Sequence, residues 1–291
     1  MLKHLPKLPS MMTATFAEWR KDNPSLLAAA IAYYSFFALI PLMVIVAAIG
    51  SFFFGHAAAN GLLHDTLIRI FGENVASLIE KMLATTYTQE SGIIVGAAAI
   101  LILFGASFVF IQLRKAINLI WGVEEKKKYW VEFIEGRLMS LLMLTAIAAL
   151  MIFWLAASTS LSTMALFSGS FKTTGGVALE VGNFMLLLMT SYVLFAIFFR
   201  FLPAVKLKWE DVTLGAAVTS FLFTIGSHLV AFYLSKIGLE TIYGVAGSMV
   251  VLLVWLYISA QVFLFGVIFT KVFAARHGSR KARKQSERQR R

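Results

Sequence analysis

From Tyr243 to Phe273 the chain reads YGVAGSMVVLLVWLYISAQVFLFGVIFTKVF, with a single charge, Lys271, just before its end. About 20 apolar residues in a helix cross the hydrocarbon core of a bilayer, so this stretch spans it with length to spare. Working back along the chain, five more stretches have the same character: Val212–Leu234, Val181–Phe199, Leu138–Ser158, Ile93–Leu113 and Ala28–Phe54. Val212–Leu234 is the most polar of them. Ala28–Phe54 runs far beyond the ~7–15 apolar residues of a cleavable signal and is expected to remain as a span. The whole chain agrees: of 291 residues 59% are apolar and 14% charged, and the mean hydropathy is +0.80. Soluble domains reach only ~45–50% apolar even with glycine counted. A soluble enzyme, a disordered chain and a coiled coil are thereby excluded. The fold expected is an all-α polytopic membrane protein with six transmembrane helices.

Orientation follows from the distribution of positive charge. Twenty-two of the 26 Lys and Arg fall before the first span, in the 2–3 and 4–5 loops, and from Lys271 in the last turn of the sixth span to the end of the chain. The other side holds only Arg69, Lys81, Lys172 and Lys236. Both termini are therefore expected in the cytoplasm. The chain divides into an arm (1–25), a six-helix domain (26–273) and a basic tail (274–291).

Two segments outside the spans have helical periodicity. In 62–83, Leu63, Leu67, Ile70, Phe71, Val75, Leu78, Ile79 and Met82 recur at three- and four-residue steps, with Gly72 and Asn74 as a break. This reads as a lid on the outer face, or as a gate. In 10–23, Met11, Phe16 and Trp19 mark an amphipathic helix on the cytoplasmic surface, which Pro24 closes. The tail is a solvated basic run, and Arg276, Arg280, Lys281, Arg283 and Lys284 are its candidate contacts to anionic lipid. No aromatic side chain interleaves the tail's charges, so stacked bases have no platform and nucleic acid is an unfavoured partner.

Reactive chemistry is sparse. There is no cysteine, hence no disulfide or thiolate ligand. The five histidines (His4, His56, His64, His228 and His277) stand at no metal-ligand spacing. Walker and nucleophile-elbow patterns are missing. No Asp or Glu lies in any span, so the buried acid typical of an ion-coupled carrier is missing. No catalytic residue, metal or cofactor is assigned. Uncharged polar residues remain, arranged in seams. Tyr33, Tyr34 and Pro41 lie on the first span, and Ser107 and Gln112 on the second, with Asn118 just beyond it. Ser227 and His228 lie on the fifth, Ser248 and Trp255 on the sixth. They read either as hydrogen-bonding glue between close-packed helices or as the wall of a mostly neutral polar cavity.

Residues 28–42, AAAIAYYSFFALIPL, resemble the opening span of the YihY/BrkB family of bacterial inner-membrane proteins. Phe104-Gly105-Ala106-Ser107 with Ala116–Trp121 resembles its second block, and Leu202-Pro203 with Trp209 and Gly215-Ala216 its third. Tyr243–Ser248 with Trp255, Tyr257 and Phe265-Gly266 resembles its last. The likeness runs from about residue 25 to 272. It implies six spans and a bacterial inner-membrane location. Members of this family have been labelled ribonuclease BN, but the residues here offer neither a metal site nor an acid–base pair for phosphodiester cleavage. The function expected is that of a transporter or lipid-handling protein. The rival is a non-catalytic scaffold or envelope-assembly partner. A protein partner or a homo-oligomer is compatible with either.

Overall fold

The computed structural model describes residues 8–21, 23–54, 108–123, 129–167, 174–205, 207–237 and 245–276. Among the described residues the secondary structure is entirely helical: α1 (Leu8–Lys21), α2 (Pro24–Phe54), α3 (108–121), α4 (Tyr129–Phe167), α5 (Thr174–Phe201), α6 (Trp209–Ile237) and α7 (Val245–Arg276). Leu138–Leu161, Val181–Phe201, Trp209–Val230 and Val250–Arg276 are long and apolar enough to cross a membrane, and Pro24–Leu39 is a shorter apolar run within α2. These coincide with the expected third to sixth spans and part of the first. Most of the expected second span (93–113), the 62–83 segment and the tail beyond Arg276 lie outside the described residues.

Local chemistry sets the helix ends. Between α1 and α2, Asn23 takes a left-handed φ of 43°, a conformation its short polar side chain tolerates. Pro24 then opens α2, where its fixed φ suits a first helical position and a missing N–H costs nothing. α3 closes on Gly122, at φ 62°. The Gly122 N–H donates to the Leu119 carbonyl (3.0 Å) and the Val123 N–H to the Asn118 carbonyl (3.0 Å), the paired bonds of a Schellman cap. α5 stops before Pro203, which disfavours helix at the residue preceding it. α6 starts with Glu210 and Asp211 in its first turn, where acids face the positive end of the helix dipole.

Neighbour relations close a ring. α2 packs on α4, α4 on α5, α5 on α6, α6 on α7, and α7 on α2. α3 lies against both α5 and α7: in its first turn Phe110 meets Phe198 edge-on at 6.2 Å, and in its last turns Ile117 and Trp121 share a tight apolar gap with Phe199 and Val267. The core is densest at this end of the ring, with Ile117, Ile120, Phe199, Val212, Leu264, Ile268 and Phe269 fully or almost fully buried. We call it the basic end, since it carries Arg200, Lys208, Lys271 and Arg276.

The tightest seam joins α6 to α7. A Cβ built on Gly215 would collide with the Thr270 hydroxyl, and one built on Gly266 with the Thr219 hydroxyl and with Phe199 Cζ. The two helices thus carry the same Gly-x-x-x-Thr unit in antiparallel register. Each threonine donates to the glycine carbonyl of its own helix, Thr219 to Gly215 at 2.7 Å and Thr270 to Gly266 at 2.8 Å. The hydroxyl is satisfied internally, so it can press on the opposite glycine without exposing an unpaired donor. Small residues at close helix crossings are the membrane counterpart of an apolar core, since lipid supplies no hydrophobic drive between helices.

α1 lies along the last turns of α7. Met11 and Thr15 are fully buried, while Phe16 and Trp19 sit 5.4 and 5.8 Å from the Phe265 ring. Lys271 Nζ donates to Glu18 Oε1 at 2.8 Å, and Lys21 stands 3.7 Å from the other carboxylate oxygen. The hydrogen bond from Lys271, with the charges of Lys271 and Lys21, holds the Glu18 carboxyl below its usual range despite partial burial. A depressed folded-state pKa stabilises the docked helix at neutral pH, and that contribution is lost as the pH falls through the folded value. Acidification to below the ordinary carboxylate range is expected to loosen α1 by ~1 kcal/mol, the upper range for a partly exposed pair. A nitroxide on Met12 and another on Phe273 should report a broadened distance distribution at low pH. Glu18→Gln should broaden it at neutral pH and remove the pH dependence.

Candidate functional site

Polar groups at membrane depth collect where α5, α6 and α7 meet. The α5–α6 register is set by Phe184 against the His228 ring (5.6 Å) and by Phe195 against Phe223 (5.5 Å). Thr190 and Thr224 both fall between these contacts. The α6–α7 register is set by the Gly–Thr pairs. Carried five residues further along each helix, it brings Thr224 level with Gln261. At a rise of 1.5 Å per residue, this level is ~22 Å along α6 from Trp209, inside a hydrocarbon layer about 30 Å thick.

Three side-chain atoms at this level are buried without a hydrogen-bond partner: Thr190 Oγ1, Thr224 Oγ1 and Gln261 Oε1. Their neighbours are engaged. The Gln261 amide donates to the Tyr257 hydroxyl at 2.7 Å. The His228 ring pairs through Nδ1 with the Thr224 carbonyl at 2.8 Å. A carbonyl only accepts, so Nδ1 carries the proton, and in the neutral ring Nε2 keeps its lone pair. An unpaired polar atom out of water costs ~1–3 kcal/mol, and more in pure hydrocarbon. Three at one level make this the most polar-demanding part of the described bundle. Hydroxyls, one amide and one imidazole can exchange hydrogen bonds with a neutral or anionic polar group. Among the described residues no three His, Asp or Glu gather where they could hold a metal ion.

The residues expected to line an interior are distributed as follows. Ser227, next to this level, is half-buried, and His228 is exposed. Trp255 is half-buried, with its ring 6.2 Å from Phe223. On α2, Tyr34 is half-buried and Tyr33 is 58% exposed, and their rings meet edge-on at 5.5 Å. Pro41 lies within α2, which runs through it unbroken, and Ser248 lies in the first turns of α7. Gln112 is half-buried on α3. Asn118 is buried at the basic end, where its Oδ1 accepts the Ala204 N–H at 2.9 Å. Ser107, Arg280, Lys281, Arg283 and Lys284 lie outside the described residues, and Arg276 is exposed at the end of α7. Sequence reasoning missed Thr190, Gln261 and the pair Thr219–Thr270. The spacing of Thr219 from Gly215 and of Thr270 from Gly266 was the available signal.

A ring of long apolar helices with buried polar atoms between them defines a polytopic helical membrane protein. Residues 15–291 match the family model described as Virulence factor BrkB, and the chain belongs to that family. It is 25% identical over 278 residues to a UPF0761 membrane protein of Rhodospirillum centenum, covering 93% of this chain and 60% of that relative. It is 24% identical over 274 residues to another from Mannheimia succiniciproducens, covering 92% and 91%. A third, from Actinobacillus pleuropneumoniae, is 23% identical over 266 residues, covering 90% and 92%. No solved structure matches the chain. The likeness read from the Tyr33–Pro41 and Tyr243–Ser248 motifs is thus borne out at the level of the family.

Proposed function

We propose that the chain is a six-span bacterial inner-membrane protein with both termini in the cytoplasm, and that it moves or handles an amphipathic solute, a lipid head group in particular. The observation that carries this reading is the set of buried, unpartnered oxygens of Thr190, Thr224 and Gln261 at one level of the helix ring. Glue between helices would pair its donors and acceptors, as Thr219 and Thr270 do. Oxygens without partners suit a polar guest that comes and goes. With no acidic side chain in any expected span, the guest is neutral or anionic rather than a bare cation. Catalysis is not part of the proposal, and purified protein is expected not to cleave RNA with any divalent metal.

The rival scaffold reading draws on the close packing of the basic end. The absence of native cysteine makes the choice testable. Single cysteines at Ser107, Ser227 and Ser248 are expected to react in native membranes with a small water-soluble thiol reagent, while a cysteine at the buried core position Ala216 stays protected. Inertness at all three, with loop controls reacting, would remove the accessible polar interior and favour the scaffold.

A further inference from the structure

We propose that Arg200 and Trp209 form a binding site for the phosphate of a membrane phospholipid at the basic end of the bundle. The site is separate from the polar level between α5, α6 and α7 and takes only the cytoplasmic orientation from the reading above.

The argument starts from the turn between α5 and α6. Leu202, Pro203 and Leu207 are buried, and the Ala204 N–H is held by Asn118 Oδ1 at 2.9 Å, so the turn is pinned to the core. This fixes the last turn of α5 beside the first turn of α6. Arg200 Cζ lies 5.6 Å from the centroid of the Trp209 ring, and the Phe201 ring meets Trp209 nearly edge-on at 6.3 Å.

Three features point to a lipid head group. First, the guanidinium carbon lies over the Trp209 ring, and no ion pair joins it to a carboxylate among the described residues. A guanidinium held over a ring rather than against a carboxylate keeps N–H donors for phosphate oxygens. Second, the aromatic partners are not core residues: Trp209 is 50% and Phe201 46% exposed. Both stand at the end of helices apolar enough to cross a membrane, where Trp side chains sit at head-group depth. Third, Lys208 is exposed immediately before Trp209 and supplies a second cation. Arg200 and Lys208 are matched in number by Glu210 and Asp211, which stand at the positive end of the α6 dipole. Glu210 is exposed one position beyond Trp209, and Asp211 is buried. A free phosphate ion would satisfy Arg200 but would have no use for the two exposed rings. The occupant assigned is therefore a phospholipid, with an anionic one preferred because Lys208 adds charge that a zwitterion only half uses.

The test is native mass spectrometry of the full chain released from detergent. The protein is equilibrated with phosphatidylglycerol, phosphatidylcholine or inorganic phosphate. The wild type is expected to retain phosphatidylglycerol over phosphatidylcholine, and inorganic phosphate at millimolar concentration should not displace the lipid. Arg200→Gln should weaken phosphatidylglycerol retention about fivefold, the value of one basic residue at an anionic surface, with an unchanged melting temperature. Arg200→Lys should recover part of that loss, since a point charge remains but the planar fork is gone. If Arg200→Gln does not fold, Trp209→Ala serves in its place and should reduce retention. Retention unchanged in the folded variant overturns the site, and displacement by inorganic phosphate overturns its assignment to lipid. Thiol accessibility at Ser227 is unaffected by either result, so failure here leaves the polar level standing.

Discussion

Gly266→Leu is expected to destabilise the protein severely. The added side chain would start where the Thr219 hydroxyl already sits and would drive into Phe199. Overpacking an ordinary core costs about 1–3 kcal/mol because neighbours shift or change rotamer. Here the neighbours have little room. Thr219 is tied to the Gly215 carbonyl, and Phe199 is wedged against Phe195 and Phe263 at 6.1 and 5.5 Å. The helices must separate, and separating them also opens the reciprocal Gly215–Thr270 contact. A loss above ~3 kcal/mol is therefore expected, a large fraction of the 5–15 kcal/mol that holds a typical domain. Fluorescence-detected size-exclusion chromatography after heating reads it directly. The smaller Gly266→Ala should lower the melting temperature, and adding Thr219→Ala should restore part of the loss, since the clash and its partner are removed together. A Gly266→Leu protein that melts like the wild type would mean that α6 and α7 do not meet at this register.

The spans were legible because the bilayer imposes a simple rule on sequence. A long apolar run is needed to cover the backbone from lipid, and Val250–Arg276 or Val181–Phe201 can be read no other way. Helix ends were less legible. α4 extends from Tyr129 to Phe167, well beyond the expected Leu138–Ser158, because a helix does not have to stop where its apolar face does. Glu132, Glu135 and Arg137 are compatible with helix outside the hydrocarbon. The amphipathic arm was visible in the spacing of Met11, Phe16 and Trp19, but its docking on α7 was not, since nothing local links Glu18 to Lys271, 253 residues away. The same limit applies to the candidate site. Periodicity marks which residues share a face and says nothing about which face meets which. The polar stripe on α6 was readable from Thr224, Ser227 and His228. Thr190 and Gln261 have polar neighbours in Ser191 and Ser259, but no stripe at helical spacing singles them out. For Asn118 residue type gives only a polar group beside a span, and its bond to the backbone of a turn 86 residues away is legible only in the structure.

That bond makes Asn118→Leu the second change with a large expected effect. Asn118 closes two structures at once. Its carbonyl accepts the Val123 N–H in the cap of α3, and its side chain accepts the Ala204 N–H in the turn after α5. Leucine keeps the cap, since the backbone carbonyl is unchanged, and leaves the Ala204 N–H without its acceptor. Ala204 is itself exposed, so water can reach part of the freed donor and loss of the bond costs about 1 kcal/mol, while the branched side chain must also fit among residues that already pack closely. A loss of about 2–4 kcal/mol is expected from the two terms together. Asn118→Asp keeps an acceptor oxygen at the same place and separates them. It should retain the bond to Ala204, at the cost of a partly desolvated carboxylate. Hydrogen exchange read by mass spectrometry locates the effect. In Asn118→Leu the peptide covering 202–208 should exchange faster while the one covering 116–123 stays protected. In Asn118→Asp the 202–208 peptide should stay closer to the wild type. Faster exchange confined to 116–123 would show that the side chain supports its own helix rather than the turn. The 202–208 turn would then need another anchor to hold Trp209 beside Arg200.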